Sequence, residues 1–421
     1  MRTLKALLLR KALILSLPAL MTAGEVVSVT AVGALLAAPA YAAKDTVSAK
    51  VGKPLQDAQA LVKAGDFKGA LAKVKEAQAI PGKSPFETKT VNEFLAFVAI
   101  KQGDYASAAQ AYESLLGSDP AQVGQRLKVL TQLNYQIKNY GKAVQFGNRY
   151  LKEVGGDVDI ALLVAQAYYI QKDYTNTIAA TDNLIKIARA KGQPVKENWL
   201  QLQMSSYHNL NRDKDSVAVL DQLLVSYPSP RYWKDRLIIL QTAGSMSDRD
   251  RVELYRLKRA AGVLEADEVV EMAEIAMAIG LPGDAKSVLE YGFDTKIIGA
   301  GNNKDRENRL LNKARADSAE DMKALEKQAT QSQAAAKGDL ETKVGEAYMT
   351  YGQYDKAAAA ISDGLKKGGV ESEDLAKLHL GETLFAQKKY AEAAKTFKSV
   401  KADSDVGKFA KLWAILAGNK G

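Results

Sequence analysis

One short pattern recurs along this chain at almost constant intervals, and it limits the possible folds more than any other feature. It reads glycine, aspartate, an aromatic, two variable residues, alanine. It stands as Gly65-Asp66-Phe67 with Ala70 and as Gly103-Asp104-Tyr105 with Ala108. Looser copies are Lys138-Asn139-Tyr140 with Ala143 and Lys172-Asp173-Tyr174 with Thr177. Two more lie near the end, Gly352-Gln353-Tyr354 with Ala357 and Lys388-Lys389-Tyr390 with Ala393. Successive aromatics are 38, 35 and 34 residues apart in the first group and 36 apart in the last pair.

Each position has a physical reason. A glycine closes a helix because the chain there turns into the left-handed region. Aspartate or asparagine caps the next helix by accepting from its first free N–H groups. The aromatic folds back over the turn, and the small residue three positions later lets two antiparallel helices come close. Between copies, apolar residues recur at three- and four-residue spacing, the helical period. The chain is therefore expected to be all-α, built of helix-turn-helix pairs that stack at this period.

At these residues the chain resembles the tetratricopeptide repeat family. The family's small residue seven positions before the turn glycine is present as Ala96 and Gly345, with Tyr348 at the tyrosine position that follows. The clearest copy, residues 89–121, continues through Ala108, Tyr112 and Leu115 to Pro120. Further copies contain Tyr207, Asn211-Arg212-Asp213 and Pro228, or Ala273, Ala276, Gly280-Leu281-Pro282 and Ala285. The family's early tryptophan is missing throughout, and most copies lack the closing proline. The resemblance implies a right-handed superhelical solenoid of about eight to ten repeats. Residues 55–293 are expected to form one array and 338–421 a final pair with a capping helix around Lys411-Leu412-Trp413-Ala414-Ile415-Leu416. Residues 294–337 read either as a degenerate repeat turning near Ser318 or as a charged helical spacer, and 43–54 as a short flexible tail.

The N-terminus reads as a secretory signal peptide spanning residues 1–42. Arg2, Lys5, Arg10 and Lys11 precede an apolar run, and Ala40-Tyr41-Ala42 offers small residues at the two positions a signal peptidase reads. Glu25 splits the apolar stretch, so neither half reaches the ~20 residues of a span. With no cysteine, disulfides, thiolate catalysis and cysteine metal sites are all excluded. Export without disulfides points to a bacterial periplasm. The formal charge of +9, of which the leader contributes +3, is interleaved with carboxylates, and no basic stripe suited to nucleic acid is visible.

No enzymatic chemistry stands out. Gly299-Ala300-Gly301 lacks the lysine of a phosphate loop, and no nucleophile elbow occurs. His208 and His379 are far apart and read as surface or packing histidines, and no metal-ligand spacing is present. Neither metal nor cofactor is expected.

A repeat solenoid usually binds along its concave face. Carried over copy by copy, the family's groove positions fall in two zones. The first holds Lys128, Gln132, Tyr135, Gln166, Tyr169, Ser205 and His208, neutral and rich in amide and tyrosine. The second holds Glu274, Met277, Glu346, Met349, Glu382 and Phe385, acidic with apolar anchors. The acidic zone is expected to accept a basic, partly apolar segment, and the neutral zone a polypeptide backbone or a glycan. The plainer alternative is that these side chains are solvated or pack between helices. The family's lysine/asparagine carboxylate clamp is not reproduced, since Lys128 is accompanied by Val129 and Gln132. The expected function is a periplasmic scaffold that binds protein partners in envelope assembly or transport. The alternative is a glycan-associated module in exopolysaccharide export or cell-wall turnover.

Overall fold

The structure, a computed structural model, describes residues 46–421. The signal peptide expected at 1–42 and the first residues of the expected tail lie outside the described residues. Among the described residues there are twenty α-helices and no strand. They divide into two compact units at Val219/Leu220.

The first unit contains α1 (Ala49–Lys63), α2 (Phe67–Ala79), α3 (Pro85–Gln102), α4 (Tyr105–Leu115), α5 (Val123–Gln136), α6 (Tyr140–Glu153), α7 (Val158–Ile170), α8 (Tyr174–Ala190) and α9 (Glu197–Asn209), with the start of α10 (Asp213–Ser226). The second contains the rest of α10, then α11 (Pro230–Thr242), α12 (Asp248–Ala260), α13 (Ala266–Ala278), α14 (Pro282–Asp294), α15 (Lys304–Ala334), α16 (Asp339–Thr350), α17 (Tyr354–Lys367), α18 (Glu373–Ala386), α19 (Tyr390–Lys398) and α20 (Gly407–Gly418).

The recurring pattern marks the tight turn between the two helices of a pair. In each such turn the two residues just before the second helix donate back to the last carbonyls of the first. Asp104 N–H reaches Ala99 O at 2.8 Å and Gly103 N–H reaches Ile100 O at 3.1 Å. The same two bonds recur at Asp66, Asn139, Asp173, Arg212, Leu281, Gln353 and Lys389, which satisfies carbonyls a bare helix end would leave unpaired. Asp66, Asp104 and Asp173 also cap the second helix by accepting from Gly69, Ser107 and Asn176 N–H. The small residue three positions into that helix is sealed in every case: Ala70, Ala108, Ala143, Thr177, Ser216, Ala285, Ala357 and Ala393 are all 0% exposed.

Several turns place a lysine where glycine would be unstrained. Lys138, Lys172 and Lys388 have φ of 61°, 60° and 62°. A side chain in that region costs roughly 1 kcal/mol or more. Lys138→Gly is therefore expected to stabilise the first unit by about 1 kcal/mol, less the extra backbone freedom glycine gains when unfolded. Urea denaturation followed by circular dichroism measures the gain.

The expected tail differs from the structure, and of the two readings of residues 294–337 the structure has the helical spacer. The expected tail is helical from Ala49, and α1 runs through Pro54 because Val51, Leu55 and Ala58 share one buried face. Residues 304–334 form one 31-residue helix, about 46 Å long, with no turn near Ser318. No glycine or proline interrupts this stretch, and Ser318 is buried, its hydroxyl donating to Pro282 O at 2.8 Å. α15 packs on α16 through Met322 and Leu325, which meet Val344, Tyr348 and Met349.

The second unit closes on itself. Its last helix, α20, reaches the unit's own beginning. Lys411 Nζ lies 2.7 Å from Asp221, Lys408 Nζ 3.3 Å from Asp250, and Asn419 Nδ2 donates to Leu224 O at 2.8 Å. Trp413 stacks on Phe397 at 5.6 Å and meets Phe385 edge-on at 5.2 Å. Phe409, Leu412, Trp413 and Leu416 are all buried, while Lys408 and Lys411 keep the outer side of α20 open to solvent.

Candidate functional site

In the first unit the neutral zone lies on three consecutive first helices. Gln132 and Tyr135 are one turn apart on α5, Gln166 and Tyr169 on α7, and Ser205 and His208 on α9, so each pair shares a helix face. Hydrogen bonds link one repeat to the next. Tyr135 Oη donates to Gln166 Oε1 at 3.3 Å, and the Tyr169 and Ser205 hydroxyls meet at 2.8 Å. Each tyrosine is also held edge-on by the aromatic of its own turn, Tyr140 at 5.5 Å and Tyr174 at 5.6 Å. Burial, then the neighbouring Tyr140, push the Tyr135 phenol above its ordinary pKa, so it remains a neutral donor. Lys128 is engaged differently: its ammonium lies 2.7 Å from Asp157, and that bond raises its pKa. His208 Nδ1 lies 4.0 Å from Asp213. The plainer alternative of packing between helices thus describes part of this row, while Gln132, Gln166 and both tyrosines stay partly open to solvent.

In the second unit the acidic zone does not line an open groove. Glu274 is exposed on α13 and pairs with Arg306 at 2.5 Å, with Met277 half-buried nearby in sequence. Met349 is buried beneath α15, and Phe385 is wedged against Tyr390 and Trp413. Glu346 and Glu382 point into a buried charge cluster where α12, α14, α16 and α18 meet.

Arg256 of α12 is the centre of that cluster. Its guanidinium forks onto Asp284 of α14 at 3.1 and 2.5 Å. Its Nη1 lies 2.9 Å from Glu253, 3.2 Å from His379 Nε2 and 3.6 Å from Glu382. His379 of α18 places Nε2 3.0 Å from Glu253, and Nδ1 3.1 Å from Glu346, though not in hydrogen-bond alignment with it. Four carboxyl groups thus surround one permanent cation. Burial pushes the Glu253 carboxyl up, but Arg256 and His379 outweigh it and hold that group at about 2. Burial and then the Glu253 charge drive Glu382 well above the carboxylate range. Burial opposes the charge on His379, yet Glu253 and Glu346 raise it to about 10. The arrangement sets an imidazolium and the guanidinium among the Glu253 and Glu346 carboxylates and a protonated Glu382, with Asp284 held by Arg256.

Glu253, His379 and Glu382 offer ligand atoms within 4.8 Å of one another, a spacing a metal ion could use. The Arg256 guanidinium already touches all three, however, and a fixed cation there repels a divalent ion. These residues therefore do not fit a metal. Sequence reasoning marked Glu346 and Glu382 but missed Arg256, Glu253 and Asp284. The only local signal is an arginine within the apolar run Leu254-Tyr255-Arg256-Leu257. No helix among the described residues is long and apolar enough to cross a membrane.

Residues 95–158 and 344–406 match the family model described as tetratricopeptide repeat. No curated protein matches the chain. Among solved structures, it is similar to the Naa15/Naa10 complex bound to HypK-THB at 15% identity, with 86% of this chain and 60% of that chain covered and a TM-score of 0.38. It is also similar to a tetratricopeptide repeat protein from Parabacteroides merdae at 14% identity, covering 63% and 99%, with a TM-score of 0.30. A third, from Thermus thermophilus, has 14% identity, 46% and 97% coverage and a TM-score of 0.24.

Proposed function

Because the chain is a tetratricopeptide repeat protein, we propose that it is a binding scaffold of the bacterial envelope that takes a partner's polypeptide segment along the neutral row of its first unit. The observation that carries this reading is the row itself. Tyr135 and Tyr169 bridge from one repeat to the next, and Gln132 and Gln166 stand beside them with amide donors and acceptors. Such groups recognise a peptide backbone without needing charge. The acidic zone supports no comparable reading, since Glu346 and Glu382 already face Arg256 and His379. The leader at Arg2–Lys11, the apolar run after it and Ala40-Tyr41-Ala42 support export to the periplasm.

The test is cross-linking of the tagged protein in intact cells, comparing wild type with a Tyr135→Phe/Tyr169→Phe double variant. The rings and their packing survive this change, while two hydroxyls are lost. At about 1 kcal/mol each, a roughly tenfold or greater loss of captured partner is expected, with little dependence on salt. Equal capture by both proteins would contradict the reading. Retained carbohydrate with no protein partner would support the glycan alternative.

A further inference from the structure

We propose that the second unit is closed by a single buried proton held between Glu253 of α12 and Glu382 of α18, and that loss of this proton at alkaline pH parts the two helices. The inference is independent of which partner the first unit binds. It begins from geometry. The two glutamates are 129 positions apart in sequence, yet their carboxyl oxygens come within 4.8 Å of each other in the core. Glu253 Oε2 and Glu382 Oε1 are both buried and accept no hydrogen bond from another group. Two bare carboxylates at that separation repel strongly where water is excluded. One proton removes the repulsion and lets one carboxyl donate to the other.

Among the described residues, the ionisable groups that contact the pair belong to the same cluster. α12 contributes Arg256, α14 contributes Asp284, α16 contributes Glu346, and α18 contributes His379. The next groups outward are engaged elsewhere: Tyr351 with Asp321, Tyr255 with Glu271, Lys258 with Glu268, and Lys408 with Asp250. Among the described residues no further cation is paired with either glutamate. Arg256 is already forked onto Asp284.

The direction with pH follows from which state holds the protons. Glu382 and His379 both have folded pKa values above their unfolded ones, His379 at about 10. The stability they confer is complete below the unfolded carboxylate and imidazole values, roughly 4.3 and 6.5, and drains away as pH rises through the folded ones. Glu253 and Glu346 are shifted down, Glu253 to about 2, so their contribution is lost only as the medium becomes strongly acidic. The unit is therefore tightest under mildly acidic conditions and loosens on the alkaline side. Parting α12 from α18 uncovers Glu346 and Glu382, which occupy positions a repeat array normally presents to ligands.

The test is hydrogen–deuterium exchange of the full chain across pH 6 to 10, corrected for the intrinsic pH dependence of exchange. Wild-type protection in residues 248–260 and 373–386 is expected to fall with rising pH while residues 46–219 hold theirs. Glu382→Gln, a neutral isostere, is expected to keep that protection and move the midpoint up by about one pH unit or more, a tenfold shift in the opening equilibrium per unit. Glu253→Gln approaches the same pair from the other side, and is expected to flatten the profile should Glu382→Gln fold poorly. A wild-type profile with no alkaline loss, or one that both variants reproduce unchanged, would overturn the proposal.

Discussion

Replacing Arg256 with methionine is expected to destabilise the second unit by about 3–5 kcal/mol, the penalty for removing one partner from a buried charge pair. Methionine keeps much of the side chain's volume, so the loss comes from electrostatics. Glu253, Asp284 and Glu346 would lose their guanidinium, and His379 would be the one cation left in the cluster. The same physics predicts a rescue. Replacing Glu253, Asp284 and Glu382 with apolar residues of similar size, on top of Arg256→Met, should recover most of the loss, because a well-packed apolar core commonly does as well as a buried ion cluster. Urea denaturation of the four proteins (wild type, single, triple and quadruple variants) measures both effects. The first unit should unfold at the same urea concentration in all of them, as neighbouring regions of a repeat protein are stabilised mainly by local contacts.

The second large effect is expected at Trp413. Trp413→Ala should cost about 3–5 kcal/mol, the usual range for removing a large aromatic from a packed core. Trp413 is stacked on Phe397 and braced by Phe385, and its helix carries the ion pairs to Asp221 and Asp250 that close the unit. The two variants differ in where the damage falls. Loss of Trp413 should first expose backbone amides in α20 and in residues 220–226, whereas loss of Arg256 should first expose α12 and α18. Hydrogen exchange distinguishes them residue by residue. Equal protection in α20 with and without the indole would show that closure does not depend on it.

Much of the fold could be read from local chemistry. The left-handed turn residue, the capping aspartate and the small residue three positions later are all short-range requirements, so their spacing reveals helix pairs without any knowledge of tertiary contacts. The long helix α15 was also legible in principle: the stretch from Lys304 to Ala334 contains neither glycine nor proline, and only the 36-residue period argued for a turn at Ser318. Pro54 misled in the opposite direction, since burial of Val51 and Leu55 carries the helix through it.

The closure of the second unit was not legible, and the reason is distance along the chain. Glu346 and Glu382 stand out as a row of acids at repeat spacing, which reads as a surface awaiting a basic ligand. Their cation is supplied by Arg256, 90 residues before Glu346 and in a stretch whose only feature is apolar spacing. No local pattern reports that α12 will meet α18. His379, flanked by Leu378 and Leu380, reads as a packing histidine. It is indeed buried, but as a charged member of the cluster.

The most direct test of the account is site-specific photo-cross-linking in living cells, with the reactive side chain placed in turn at Gln132, Gln166, Glu346 and Glu382. The account predicts a protein adduct from Gln132 and Gln166 and none from Glu346 or Glu382 at neutral pH. Adducts confined to Glu346 and Glu382, with the first unit silent, would contradict it.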